Sequence, residues 1–136
     1  MSDALPQHYF RVRENGAMVF RVSAENRMRR IEMDQIAVVN IRNGEIKSHG
    51  DAHLTDEDSQ AIEEWLHERR SLMAKRQIDD ILRTIDQLNL TTAWAQQKAA
   101  PEELEAVAEG LLLAMHDLRS VLVRKRSDHM RKDGAG

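Results

Sequence analysis

Between Thr55 and Ala100 the chain contains neither glycine nor proline, so the second half of this protein reads as helix. The run Thr55-Asp56-Glu57-Asp58 has the form of a helix start: a threonine cap followed by acids in the first turn, where they favour the helix dipole. The apolar stripe beyond it changes phase. At roughly 100° per residue, Ile62, Trp65, Leu66, Leu72 and Met73 cluster about one direction, and Ile78, Ile81, Leu82 and Ile85 cluster roughly 150° away. Either the helix breaks near 74–77 or one rod packs on different neighbours along its length. The phase change favours a first helix over 56–72 and a second over 75–98.

A last helix begins at Pro101. Proline suits the first helical position, Glu102 and Glu103 occupy the positive first turn, and Arg124-Lys125-Arg126 lie at the far end. Its stripe is Leu104, Val107, Ala108, Leu111, Leu112, Met115, Leu118, Val121 and Leu122, with Leu113 almost opposite the centre. The short linker at Ala99-Ala100 predicts an antiparallel pair with the preceding helix.

The first third reads as β. Asn15-Gly16 and Asn43-Gly44 each lie between alternating or β-branched segments, a short-range hairpin signal. At the first, a two-residue turn at Asn15-Gly16 would pair Val12 with Val19. A three-residue loop, Glu14-Asn15-Gly16, pairs Val12 with Met18 and Phe10 with Phe20 and collects Phe10, Val12, Met18, Phe20 and Val22 on one face. That register is the expectation. At the second, a two-residue turn pairs Ile41 with Ile46 and Arg42 with Glu45. Residues 27–33 could add a strand, ended by a turn at Asp34.

The expected fold class is α+β: an N-terminal antiparallel β-meander of four to five strands, a covering helix and a C-terminal antiparallel helical hairpin. The corresponding divisions are 1–73, 74–128 and a disordered tail over 129–136.

Cysteine is absent, which removes disulfides, thiolate metal sites and cysteine nucleophiles together. Neither a secretory leader nor an apolar run of spanning length is visible, so the expected location is cytoplasmic, with no membrane partner. Residues 1–50 carry 8 Lys+Arg against 6 Asp+Glu, and residues 51–136 carry 12 against 17, giving +2 and -5 and summing to the formal -3.

Three groups of residues invite a chemical reading. His49, Asp51 and His53 fall at i, i+2, i+4 and would share a face if extended, as metal ligands could; the plainer reading is a solvated loop in which Gly50 and Asp51 are turn residues, and no metal is expected. Met115-His116-Asp117-Leu118-Arg119-Ser120-Val121-Leu122 resembles the phosphoacceptor box of sensor histidine kinases over eight residues, with Val121 where proline is usual. That resemblance implies phosphotransfer at His116; the plainer reading is a residue flanking a core stripe. Third, Tyr9, Arg11, Arg13 and Arg21, with Arg30 beside them, fall on the sheet face opposite Phe10 and Phe20. Arginines there would neutralise phosphates and tyrosine would stack on a base.

A Gly-rich phosphate loop, a G-x-S-x-G elbow and an H-E-x-x-H pair are all missing, so no catalytic residue and no cofactor is assigned. The leading expectation is a non-catalytic protein-interaction or regulatory protein, homodimeric through Ile78, Ile81, Leu82, Ile85, Leu111, Leu112, Met115 and Leu118. A further protein partner is compatible with that role. The second expectation is a nucleic-acid binder using the arginine face.

Overall fold

The computed structural model describes residues 5–24, 28 and 30–134. In chain order these form β1 (His8–Arg13), β2 (Gly16–Ser23), β3 (Glu32–Asn40), β4 (Ile46–Ser48), α1 (Asp56–Gln97) and α2 (Pro101–Gly134). The four strands make one antiparallel sheet in the order β1-β2-β3-β4, and the chain is α+β as expected. It divides into two compact units, Met1–Asp80 and Ile81–Gly136, with the boundary inside α1.

The first hairpin departs from the expected register. Arg13 pairs with Gly16, Val12 with Ala17 and Phe10 with Val19, so the turn is the two residues Glu14-Asn15. A one-residue shift exchanges the faces of a strand. Ala17 and Val19 therefore join Phe10 on the side of α1, while Met18 and Phe20 lie on the outer side with Tyr9 and Arg11. Gly16 does not supply turn geometry here. It sits within β2 against β3, where a Cβ would run into the Val39 carbonyl, so a side chain at this position would push two strands apart.

Residues 32–40 form a single strand through Asp34, which pairs with Arg21 where a turn was expected. The proposed separate strand over 27–33 falls partly outside the described residues. The β2–β3 register slips between Val19 and Phe20: Val19 faces Ala37, Phe20 faces Gln35, and Ile36 has no counterpart in β2. Such a bulge turns successive side chains inward together, and both Ile36 and Ala37 are buried.

The second hairpin also leaves its ladder earlier than expected, through a wider loop. Val39, not Ile41, faces Ile46, and the Asn40 amide donates to the Glu45 carbonyl at 2.9 Å, closing a four-residue loop over 41–44. The Asn40 side chain accepts from the amides of Arg42 and Asn43, and Gly44 takes the left-handed conformation at φ 73°.

α1 begins with a capping box. The Thr55 hydroxyl accepts from the Asp58 amide and the Asp58 carboxylate accepts from the Thr55 amide, both at 3.0 Å. One turn on, Ile62 and Leu66 are buried against Ala17, Val19, Ile36, Ala37 and Val39, and Trp65 stacks on Phe10 with ring centroids 5.0 Å apart. Burial of Ile62 and Leu66 stabilises the unit by about 2 kcal/mol each.

α1 runs unbroken through 74–77, so the two helices expected over 56–72 and 75–98 are one. It ends where the amides of Lys98 and Ala99 both converge on the Trp94 carbonyl. In the second unit, Leu90 and Trp94 of α1 and Val107 and Leu111 of α2 line a common groove, the arrangement of an antiparallel hairpin. α2 continues through 129–134, where a tail was expected, with His129 and Asp133 3.2 Å apart on successive turns.

Gly16→Ala is expected to destabilise the protein by about 2 kcal/mol, because the obstruction is backbone. Gly44→Ala should cost about 1 kcal/mol from its φ alone. Urea titration followed by circular dichroism ranks the two, and equal losses would contradict the steric role of Gly16.

Candidate functional site

The main concentration of polar side chains lies where the start of β1, the end of β2 and the first turn of α1 meet. His8 faces Arg21, and Arg21 faces Asp34, in one row across three strands. Asp58, at the third helical position of α1, comes down on that row. His8 Nε2 donates to Asp58 Oδ1 at 2.6 Å, and the Arg21 guanidinium donates to Oδ2, which also accepts from the Thr55 amide. Asp58 is 3 % exposed. An open groove of about 800 Å³ runs past the cluster, with Leu5, Pro6, Val22 and Ile31 as its apolar lining.

Burial by itself pushes the Asp58 carboxyl up. The hydrogen bonds from Arg21, His8 and Thr55 outweigh that and hold it well below the usual carboxylate range. Both carboxylate oxygens are thus engaged by donors from the chain itself. The cluster clamps the ends of β1 and β2 to the first turn of α1, and its arrangement suits positioning better than proton transfer. His8 and Asp58 were not legible as a pair, because they lie 50 positions apart and Asp58 reads in sequence as one of three first-turn acids. The Thr55/Asp58 cap was the visible half of the signal.

The arginine face is split by the register. Tyr9, Arg11 and Arg13 share the outer face, together with Met18 and Phe20. The Arg11 guanidinium lies 4.7 Å over the Phe20 ring and Tyr9 tilts against the same ring at 6.3 Å, which leaves Phe20 buried beneath them. Arg21 is on the opposite face, held by Asp58, and Arg30 precedes β3 outside the strand. On the outer face the strand positions also carry Gln35, Val38, Asn40 and Lys47, and none carries a carboxylate.

His49, Asp51 and His53 are not brought together as ligands. The Ala52 amide donates to the His49 carbonyl and Gly50 is left-handed at φ 58°, so residues 49–52 turn where the motif needs an extended chain. Among the described residues no group of three His, Asp or Glu is placed to hold a metal ion. His116 is exposed on α2, where the Ser120 hydroxyl donates to its backbone carbonyl.

Of the expected interface residues, Leu111 is half-buried in the hairpin groove. Ile78, Ile81, Leu82, Ile85, Leu112, Met115 and Leu118 are exposed, by 46 % to 66 %. None of the described residues of α2 is buried, and among the described residues no helix is long and apolar enough to cross a membrane.

No protein-family model matches this chain, and no curated protein or solved structure matches it either.

Asp58→Asn should destabilise the first unit by about 2 kcal/mol through loss of charged hydrogen bonds in a buried position. Because folding lowers the Asp58 pKa, the carboxylate's contribution is complete above the unfolded value of about 4 and is lost as pH falls below it. Urea midpoints at pH 7 and pH 3 should therefore fall further for the native chain than for Asp58→Asn. Parallel losses in the two would remove the clamp from this account.

Proposed function

We propose that this chain is a non-catalytic protein-interaction or regulatory protein that homodimerises through its C-terminal helical hairpin. The observation that carries the reading is α2: a helix of 34 residues with no buried side chain among those described, yet with Leu112, Met115, Leu118 and Leu122 each at least half exposed. Apolar exposure on this scale marks an interaction surface. On α1, Leu88, Thr91 and Trp94 are the half-buried positions near the interhelical turn. Ile81, Leu82 and Ile85 lie roughly 120° around the helix from them. A stripe so displaced needs cover from beyond the hairpin, and two hairpins packed together supply it as a four-helix bundle.

The groove chemistry points the same way. The acid, the histidine and the arginine that would serve a reaction satisfy one another in the Asp58 cluster, so the reading assigns them to holding the helix on the sheet.

Sedimentation equilibrium is expected to give a dimer for the native chain. Leu112→Glu should convert it to monomer with its circular dichroism retained, since Leu112 is 66 % exposed and supports no core. Leu113→Glu, about 100° around α2 from Leu112, should leave the dimer intact. A native monomer would sink this reading.

A second reading has one observation in its favour: the outer sheet face presents Tyr9, Arg11, Arg13 and Lys47 with no carboxylate at a strand position. Single-stranded nucleic acid would stack on Tyr9 and set its phosphates on the cations. Fluorescence anisotropy with a labelled oligonucleotide is expected to show affinity falling with added salt, and loss of binding in Arg11→Ala/Arg13→Ala. Binding unchanged in that variant would exclude the face.

A further inference from the structure

α2 is divided sharply by charge. Residues 101–117 hold Glu102, Glu103, Glu105, Glu109 and Asp117 and no Lys or Arg, a balance of -5. Residues 118–134 hold Arg119, Arg124, Lys125, Arg126, Arg131 and Lys132 against Asp128 and Asp133, a balance of 6 - 2 = +4. Compensation of the helix dipole explains acids and bases only in the first and last turns. Glu105 and Glu109 lie beyond the first turn, and Arg119, Arg124, Lys125 and Arg126 lie well short of the last. The other helix of the same unit does not answer this polarity, because residues 81–97 carry only Arg83 and Asp86, one charge of each sign.

We infer that the partner of this helix is a second α2, packed antiparallel across a two-fold axis at the helix midpoint, between residues 117 and 118. This rests on the homodimer proposed above and adds its orientation and contact face. A polarity of this kind is self-complementary: in the antiparallel arrangement each acidic half lies along the partner's basic half, twice over. A parallel arrangement places acid on acid and base on base within a Debye length of about 8 Å. The two helix dipoles are also opposed in the antiparallel pair. Such an interface is isologous and closes at two copies.

The apolar positions fit that axis. Leu104, Val107 and Leu111 lie on the hairpin side of α2. Leu112 and Val123, 66 % and 53 % exposed, are displaced from that side and lie about three turns apart on one face. They are equidistant from the helix midpoint, so Leu112 of one copy comes opposite the partner's Val123. The same relation sets Glu109 opposite the partner's Arg126 and Glu105 next to the position facing the partner's Arg131.

The chain has no cysteine, which makes the test direct. Full-length Leu112→Cys and Val123→Cys are prepared separately, checked by sedimentation, and oxidised alone and as a mixture. A disulfide needs Cα atoms within about 7 Å. In the antiparallel pair the two copies of residue 112 are about 16 Å apart along the axis. The expected result is a disulfide-linked dimer in the mixture and no self-linked product in either single variant. A dimer by sedimentation whose Leu112→Cys form links to itself overturns the antiparallel orientation and leaves the homodimer standing. A dimer with no cross-link in any combination likewise overturns the α2 interface while sparing dimerisation. Monomers throughout overturn both.

Discussion

Ala17, Val19, Ala37 and Val39 form the floor on which α1 lies, and the short side chains among them let Ile62 and Leu66 reach the sheet with almost no exposure. The rest of the first unit follows from this close approach. Larger residues sit around the edge of the contact, with Phe10 stacked on Trp65 at one side and Ile46, Ile41 and Leu54 completing the border. Gly16 extends the same logic into the sheet itself, where the Val39 carbonyl occupies the place a Cβ would need. The bulge at Ile36 then turns one further large side chain into the core without lengthening the sheet.

The Asp58 cluster determines where along the sheet the helix starts. A buried carboxylate without partners would be costly, and here its oxygens meet an imidazole, a guanidinium and a backbone amide. These donors come from β1, β2 and the residue before α1, so the same group that caps the helix also fixes it to two strands. Arg21 is thereby withdrawn from the outer face and spent on structure.

Beyond the sheet the balance of forces changes. The helices from residue 72 onward carry large apolar side chains that the described residues leave exposed, including Leu82, Leu112, Leu118 and Leu122. Helix formation there is supported locally by caps, with Thr55 and Asp58 at one start and Glu103 accepting from the Ala100 amide at the other. Local support makes helices; it does not cover their apolar faces. That difference is the physical basis of the proposal that the hairpin associates.

By itself the sequence determined the elements whose signals are local: the α+β class, the threonine cap at 55, the proline start at 101, the turn between the helices and the presence of both hairpins, though not their registers. Each depends on residues within a few positions of one another, and such preferences act before any tertiary contact forms. Tertiary structure alone decided the register of the first hairpin and with it the two faces of the sheet. The size of Met18, Phe20 and Val22 argued for the core side, yet the smaller Ala17 and Val19 took it because a helix lies close above them, while Phe20 is covered on the outer face by Arg11 and Tyr9. The His8–Asp58–Arg21 cluster was hidden for the same reason. Its members are distant in sequence, and only the packing of α1 on that register brings a helix-capping acid down onto a strand histidine and a strand arginine.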